Sequence, residues 1–339
     1  MENLGDVATR VVMLTTQGLL ETSMIILMIL LCDWRIALVS LAGVAIFLVI
    51  NTVMQNAGKQ TKRLNAANEA CVRANVVLGL DTMDIDGKEL NPENHDIEVK
   101  NIEFSYDKRK IIDGISLTIP EKTTTAIVGP SGGGKTTLCN LIARFWDVDS
   151  GEITLGGTNV KDYSMNSLMN NFSFVFQNVY LFADTIENNI KFGRPEATHE
   201  EVVEAAKKAC CHDFISKLPD GYNTVIGEGG ATLSGGEKQR ISIARAIMKD
   251  SPIIILDEAT ANVDPENEKE LTLAVDALTK EKTIIMIAHR LKTVRHADQI
   301  VVVDQGRIAQ KGTHEELMKQ DGIYRRFVDL REQAVSWKI

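Results

Sequence analysis

The feature that most constrains the fold of this chain is a glycine-rich segment between an apolar run and a helical run. Residues 129–136 read Gly-Pro-Ser-Gly-Gly-Gly-Lys-Thr and match the pattern G-x-x-x-x-G-K-[ST]. Residues 125–128 form the apolar run before the segment, and residues 137–142 form the helical run after it. This strand–loop–helix order is the setting in which such a loop binds the phosphates of a nucleoside triphosphate.

Each residue type in this loop has a role in anion binding. Glycines let the main chain turn so that several N–H groups point at one anion, and the following helix adds the partial positive charge of its N-terminus. We expect Lys135 to reach the β- and γ-phosphates and the Thr136 hydroxyl to bind Mg²⁺. The predicted nucleotide-binding residues of this segment are Gly129, Ser131, Gly132, Gly133, Gly134, Lys135, Thr136 and Thr137.

From Ile97 onward, short apolar runs alternate with helical runs, which predicts an open α/β sheet with its ligand at the carboxyl ends of the strands. The early runs, before the loop, have an antiparallel, meander-like pattern, whereas continuous apolar runs are typical of parallel strands buried on both faces. The predicted strands are Ile97–Tyr106, Ile115–Ile119, Thr125–Gly129, Glu152–Leu155, Phe172–Phe176, Ile253–Leu256, Thr283–Ile287, Gln299–Val303 and Arg307–Gln310.

Two acidic residues follow the predicted strand 253–256. The Asp257 carboxylate can hold the water shell of a metal ion, and Glu258 can orient or deprotonate an attacking water. A solvated strand end explains such a pair equally well when it stands alone. Its weight here comes from the phosphate loop in the same domain.

A second helix start has the residues of an anion site. Ser234 and Glu237 form a capping-box pattern before the predicted helix 238–248. A well-capped helix accounts for this pattern, and so does a second anion site made by Ser234, Gly235 and Gly236 at a helix N-terminus. Because one triphosphate needs one phosphate loop, the second site makes most sense if it closes over a nucleotide held by another copy.

Two apolar segments lie near the start of the chain. Residues 11–32 are apolar with polar interruptions such as Glu21, and residues 36–54 carry no charge over about 19 residues, roughly 28 Å as a helix. Joined by the turn at 33–35, they predict a membrane hairpin whose cytoplasmic end is marked by the basic residues after position 54. A buried hairpin of a soluble protein is the alternative, since the first segment is polar in its first half.

The rest of the organisation follows from composition. The helical pattern continues from Lys59 to Leu80, and the polar, acidic stretch 81–96 predicts a linker. We therefore predict a partial membrane domain at residues 1–80 and a nucleotide-binding domain at residues 97–339. The net charge of −9 and the scattered basic residues argue against a nucleic-acid partner.

The order of these motifs resembles the nucleotide-binding domain of an ATP-binding cassette (ABC) protein, in which a mixed sheet carries a helical subdomain. Residues 233–240, Leu-Ser-Gly-Gly-Glu-Lys-Gln-Arg, are similar to the family signature. The resemblance implies ATP and Mg²⁺ as ligands and an ATP hydrolase as the activity. It also implies that Tyr106 stacks on adenine, Gln177 contacts Mg²⁺ and the transport domain, Asp264 crosses a dimer interface and His289 contacts the γ-phosphate.

The subtype also follows from resemblance. Residues 224–230 resemble the cross-domain loop of ABC exporters, and the hairpin around residues 33–35 resembles the third and fourth membrane helices of a half-transporter of the bacterial multidrug or lipid-exporter type. This implies a multi-pass subunit of the cell membrane with a cytoplasmic cassette. It also implies a second half-transporter chain as partner, in a homodimer or heterodimer, and an exported substrate that the sequence does not identify.

The number of predicted membrane helices departs from that family, and this limits the transport activity that we expect. Such a half-transporter has six membrane helices before its cassette, and the sequence predicts two here. We therefore expect a fragment, an internally deleted copy or a designed truncation, which hydrolyses ATP but moves no substrate alone. A membrane-anchored regulatory ATPase module that binds a partner protein is the alternative function.

Overall fold

The computed structural model describes residues 17–18, 20–25, 27–28, 34–79, 83–230, 233–257, 265–288 and 291–336. Three predicted site residues, Glu258, Asp264 and His289, lie outside these ranges. The chain divides into two units, residues 1–82 and residues 83–339.

The first unit consists mainly of one long helix, α1 (Trp34–Leu78), of 45 residues. It contains the whole predicted apolar segment 36–54 and the helical pattern that follows it. Apolar side chains are exposed along that segment; Val39 is 74% and Phe47 66% exposed. No helix in the described part of the chain meets the length and hydropathy required of a membrane span. The predicted turn at Asp33 lies outside the described residues.

The second unit is built on two sheets whose strands agree closely with the predicted ones. Strand β5 and the first residues of β2 were not predicted from the sequence. The strands are β1 (Ile97–Tyr106), β2 (Arg109–Ile119), β3 (Thr124–Val128), β4 (Ser150–Leu155), β5 (Thr158–Asn159), β6 (Phe172–Val175), β7 (Ile253–Asp257), β8 (Thr283–Ile287), β9 (Gln299–Asp304) and β10 (Arg307–Gly312).

The two sheets differ in strand direction. The smaller sheet has the order β2-β1-β4-β5 and is antiparallel throughout, which confirms the prediction for the early strands. The larger sheet has the order β10-β9-β3-β8-β7-β6 and is parallel except for β10, which pairs antiparallel with β9. The fold is therefore a mixed α/β arrangement, as predicted.

The larger sheet is buried on both faces. Along β3, Ala126 and Val128 belong to one apolar core, and Ile127 between them belongs to the other. Ile254 and Ile255 of β7 divide between the two cores in the same way. Because successive side chains of a strand point to opposite faces, these continuous apolar runs fix the sheet as a central layer.

Helices cover this layer. In the second unit, α4, α5 and α8 pack against α7, and together they form a helical subdomain beside the sheet. The helices of the second unit are α2 (Lys135–Ile142), α3 (Met165–Asn170), α4 (Ile186–Lys191), α5 (His199–Lys208), α6 (His212–Ile215), α7 (Gly235–Lys249), α8 (Pro265–Thr279), α9 (Leu291–Arg295), α10 (His314–Met318) and α11 (Ile323–Ser336).

The stretch for which the sequence predicts a linker begins the second unit and binds to it through its main chain. The Lys88 N–H donates to the carbonyl of Asp162 at 2.8 Å, and the Lys88 carbonyl accepts from the N–H of Ser164 at 2.8 Å. The buried Arg144 guanidinium donates to the carbonyl of Asp84 at 2.6 Å. Residues 84–88 therefore form a strap on the nucleotide-binding unit.

Candidate functional site

Neighbouring parallel strands end together at one edge of the larger sheet. Strand β3 leads into the loop at Gly129, β7 ends at Asp257, and β6 is followed after one residue by Gln177. The pairing of Ile287 with Asp257 and with Ile127 keeps β7, β8 and β3 in line at this edge. The strand order thus gathers the predicted phosphate loop and two predicted metal ligands.

The loop itself is shaped by close approach to a neighbouring strand. Gly129 has a φ of 144°, and a Cβ atom there would lie 2.0 Å from the main-chain oxygen of Val303 in β9. No other residue type fits without displacing that strand. The loop is thereby held against β9 while Ser131 and Gly132, at its tip, are exposed.

Helix α2 begins at the end of this loop with its first main-chain N–H groups uncapped. Gly134 is its N-cap residue and has no side chain to accept from them. Helix α7, in contrast, is capped by the Ser234 hydroxyl. Uncapped N–H groups and the helix dipole make the start of α2 an anion site, and Thr136 lies exposed there. These donors fit a triphosphate.

Lys135 places a positive charge inside this loop. Its side chain is 8% exposed, and its ammonium donates to the carbonyls of Gly129 at 3.0 Å and Pro130 at 2.9 Å. A buried ammonium must be hydrogen-bonded to be tolerated. The loop carbonyls therefore hold the cation beside the uncapped helix start, where phosphate oxygens would meet both.

The Asp257 carboxylate lies near the first turns of helix α2. Burial raises the pKa of the Cys139 thiol on that helix, and the negative charge of Asp257 raises this pKa further. Cys139 follows Lys135 and Thr136 by about one turn. The side-chain oxygens of Thr136 and Asp257 are the kind that Mg²⁺ takes, so this part of the site fits the predicted metal ion.

Tyr106 belongs to a cluster of three aromatic rings. Its ring meets that of Phe104 at 4.8 Å and that of Trp146 at 5.5 Å, each at 87°. Phe104 is buried, whereas Tyr106 is 37% exposed. Two edge-to-face neighbours fix the ring and leave part of it free to stack. Trp146 was not predicted as a site residue. Its only signal in the sequence is that it is an aromatic residue shortly after the helix that follows the phosphate loop.

Ser234 lies at the start of α7 in the helical subdomain. Its hydroxyl accepts from the Glu237 N–H at 3.3 Å, and the Glu237 carboxylate accepts from the Ser234 N–H at 2.8 Å, which confirms the predicted capping box. Ser234 and Gly235 are exposed, and Gly236 is buried. Further along α7, the Gln239 amide donates to the carbonyl of Phe176 at 3.4 Å, so this helix contacts the residue before Gln177.

Comparison with known proteins agrees with this geometry. Residues 112–261 match the family model described as ABC transporter. The match begins within β2 and includes the phosphate loop, residues 233–240 and the acidic pair at 257–258.

Two relatives of this chain share one name. The ATP-dependent lipid A-core flippase of Desulfotalea psychrophila is 51% identical over 235 residues, covering 69% of this chain and 41% of the relative. The protein of that name from Vibrio cholerae is 44% identical over 268 residues, covering 78% of this chain and 46% of the relative. This chain thus spans less than half the length of either.

A solved structure shares the fold. It is described as a bacterial Atm1-family ABC exporter with ATP bound, and it matches with a TM-score of 0.69 at 40% identity. The match covers 74% of this chain and 44% of the exporter chain.

Proposed function

This chain belongs to the ABC transporter family, whose ATP-binding domain hydrolyses ATP, and we propose that it is the ATP-hydrolysing part of an exporter subunit. In this proposal, ATP closes two cassettes upon each other, and hydrolysis reopens them to drive a substrate across a membrane. The substrate stays unidentified, because the relatives match mainly through the nucleotide-binding unit.

One observation carries the proposal. The uncapped start of α2 and the Lys135 ammonium lie at the edge where the parallel strands end, and Asp257 ends a strand at the same edge. A phosphate loop alone would support nucleotide binding. A carboxylate beside that loop adds the means to hold a metal ion and, at the next residue, a base.

In this proposal, each residue has the role that its chemical groups allow. Lys135 and the main-chain N–H groups of residues 131–136 would bind the phosphates, and the exposed part of Tyr106 would stack on adenine. Thr136, Gln177 and Asp257 would hold Mg²⁺, which neutralises phosphate charge when bound. Glu258 would accept a proton from the attacking water, and His289 would contact the γ-phosphate.

A second chain completes the proposed site. Ser234, Gly235 and Gly236 of one copy would contact the nucleotide held by the loop of the other, and Asp264 would lie between the copies. The exposure of Ser234 and Gly235 supports this assignment, because both residues are accessible to a second copy.

We propose a multi-pass location in the cell membrane with the nucleotide-binding unit in the cytoplasm. The exposed apolar side chains of residues 38–54 on α1 support it, because a run of exposed apolar side chains marks a surface that contacts a membrane or another protein. The basic residues that follow position 54 support the cytoplasmic side. Flotation of the purified chain with liposomes tests the location, and recovery of the chain only in the soluble fraction would contradict it.

The dependence of ATP hydrolysis on chain concentration tests whether two copies form each proposed site. If each site needs two copies, ATP turnover per chain rises with concentration and levels off once dimers form. Sedimentation in ATP and Mg²⁺ should show dimers over the same range. A turnover per chain that is independent of concentration, in a chain that stays monomeric, would refute the shared site. ATP binding without turnover would favour the regulatory module instead.

A further inference from the structure

The turn between β9 and β10 connects the phosphate loop to the smaller sheet. The Gly306 N–H donates to the carbonyl of Gly133 in the loop at 3.0 Å, and the Gly306 carbonyl accepts from the N–H of Asp113 on β2 at 2.9 Å. Asp113 pairs across the sheet with Glu103, three residues before Tyr106. One residue thus bridges the predicted phosphate site and the strand pair that carries the predicted adenine platform.

This position admits no side chain. Gly306 has a φ of 76°, and a Cβ atom there would lie 2.3 Å from the main-chain oxygen of Ile111 on β2. Main-chain atoms on a paired strand cannot move aside as a flexible side chain can. Any larger residue must therefore separate the turn from β2.

An ion pair beside the turn ties the same two elements. Arg307 donates through Nε and Nη2 to one carboxylate oxygen of Asp113, at 2.8 and 2.5 Å. Lys110 also contacts the Asp113 carboxylate, at 2.6 Å. Charge-assisted bonds of this kind fix orientation, so the side chains strengthen the bridge that the Gly306 main chain makes.

We propose that the Gly306 turn positions the nucleotide by setting the spacing between the phosphate loop and the Tyr106 platform. ATP must contact both at once, and the two belong to different sheets. The inference rests on the proposed assignment of these two sites. Gly306 and Arg307 act through the loop and through β2, and they touch no part of the nucleotide.

The test compares two ligands that differ in which of the two proposed sites they contact. Tripolyphosphate uses the phosphate loop alone, whereas ATP needs the loop and the platform in register. Both dissociation constants are measured on the full chain by competition against a fluorescent ATP analogue. In Gly306→Ala we expect ATP binding to weaken roughly tenfold and the preference for ATP over tripolyphosphate to shrink.

The chain offers a matched control for backbone strain. Gly157 has a φ of 78°, and a Cβ atom there would meet nothing within 4 Å. Gly157→Ala therefore carries the same left-handed strain without the collision, and it should leave the ligand preference unchanged. If Gly306→Ala does not fold, Arg307→Gln takes its place, with Arg325→Gln, which breaks an exposed pair with Asp321, as its control.

The outcomes separate the two hypotheses. A parental chain that binds neither ligand refutes the proposed function. A parental chain that prefers ATP, with the preference reduced in Gly306→Ala or Arg307→Gln and kept in the controls, supports the positioning role. Equal weakening of both ligands, or an unchanged preference in these variants, overturns it.

Discussion

The ring of Trp146 meets the ring of Tyr106 edge to face, with their centroids 5.5 Å apart. Trp146 comes from the segment after the phosphate-loop helix, and Tyr106 ends β1 on the other sheet. The contact therefore joins the proposed adenine platform to the segment that follows the proposed phosphate-binding loop and its helix. It also places an indole, a natural fluorophore, beside the proposed base.

Tryptophan emission should report nucleotide binding. The chain has three tryptophans, and Trp34→Phe with Trp337→Phe leaves Trp146 alone. We expect ATP to change the emission of this variant, because stacking on Tyr106 alters the surroundings of the indole. Constant emission at ATP concentrations that saturate the chain by calorimetry would contradict the platform.

Removing the Trp146 ring should weaken ATP binding. An edge-to-face aromatic contact contributes about 0.5–1.5 kcal/mol, and the loss of the orientation that it gives to Tyr106 should raise the dissociation constant for ATP by at most roughly tenfold. Calorimetry on Trp146→Ala measures this loss, and Trp146→Phe should recover most of it by restoring a ring. Equal affinities in the parental chain and Trp146→Ala would show that the ring does not hold Tyr106.

Lys135→Ala should abolish turnover and weaken ATP binding by on the order of 2–5 kcal/mol. Phosphate charge would then lie beside the uncapped helix start without its cation. Lys100→Ala is the control, because it removes an exposed lysine paired with Glu98 and Glu152 away from the loop. Phosphate release and calorimetry measure the two effects. A Lys135→Ala chain with parental affinity would rule out this loop as the phosphate site.

Arg144 should be a stability determinant. It is 2% exposed and is bonded to Asp147 at 3.0 Å, to the Asp84 carbonyl of the strap, and to the carbonyls of residues 160, 161 and 163. Replacing it with methionine leaves buried acceptors unpaired, which costs on the order of 3 kcal/mol in the free energy of unfolding.

Urea unfolding of Arg144→Met measures this cost, and limited proteolysis within residues 84–88 reports release of the strap. Arg325→Met removes an exposed pair and should change the stability by less than about 0.5 kcal/mol. Similar stabilities for the two variants would mean that the strap does not depend on Arg144.

Sequence patterns predicted the large sheet well because its strands, such as Ile253–Asp257, are apolar and buried on both faces. They missed the start of β2, where Lys110 and Asp113 face outward and pair with charges from Glu103 and Arg307. Charged residues of this kind give the start of β2 a sequence pattern like that of a turn, and only the folded structure shows their ion-pair partners. The strap was assigned to a linker because main-chain bonds leave no side-chain pattern.

The residues of the candidate site also differ in how well the sequence predicts them. The phosphate loop and Asp257 were predicted from local motifs, and the structure brings them to one edge. Gly306 and Trp146 carry weak local signals, a turn glycine and a lone aromatic residue. The roles proposed for them rest on contacts with residues far away in the chain, which only the folded structure reveals.

Glu258→Gln should keep ATP binding and stop turnover, because the amide has a similar shape but cannot accept a proton. Sedimentation with ATP and Mg²⁺ should then show more dimer than in the parental chain. Glu204→Gln, on the surface of α5, is the control and should hydrolyse ATP normally. Parental turnover in Glu258→Gln would exclude this residue as the base.

The two roles of Ser234 can be separated because another helix of the chain has the same cap. Thr198 caps α5 through a capping box with Glu201, as Ser234 caps α7 with Glu237. Ser234→Ala and Thr198→Ala should each lower the free energy of unfolding by about 1 kcal/mol. Only Ser234→Ala should also reduce ATP-dependent dimerisation and turnover, since only it removes a donor from the nucleotide of the opposite copy. Sedimentation and phosphate release distinguish the two variants, and equal turnover at matched stability would leave Ser234 with the cap as its sole role.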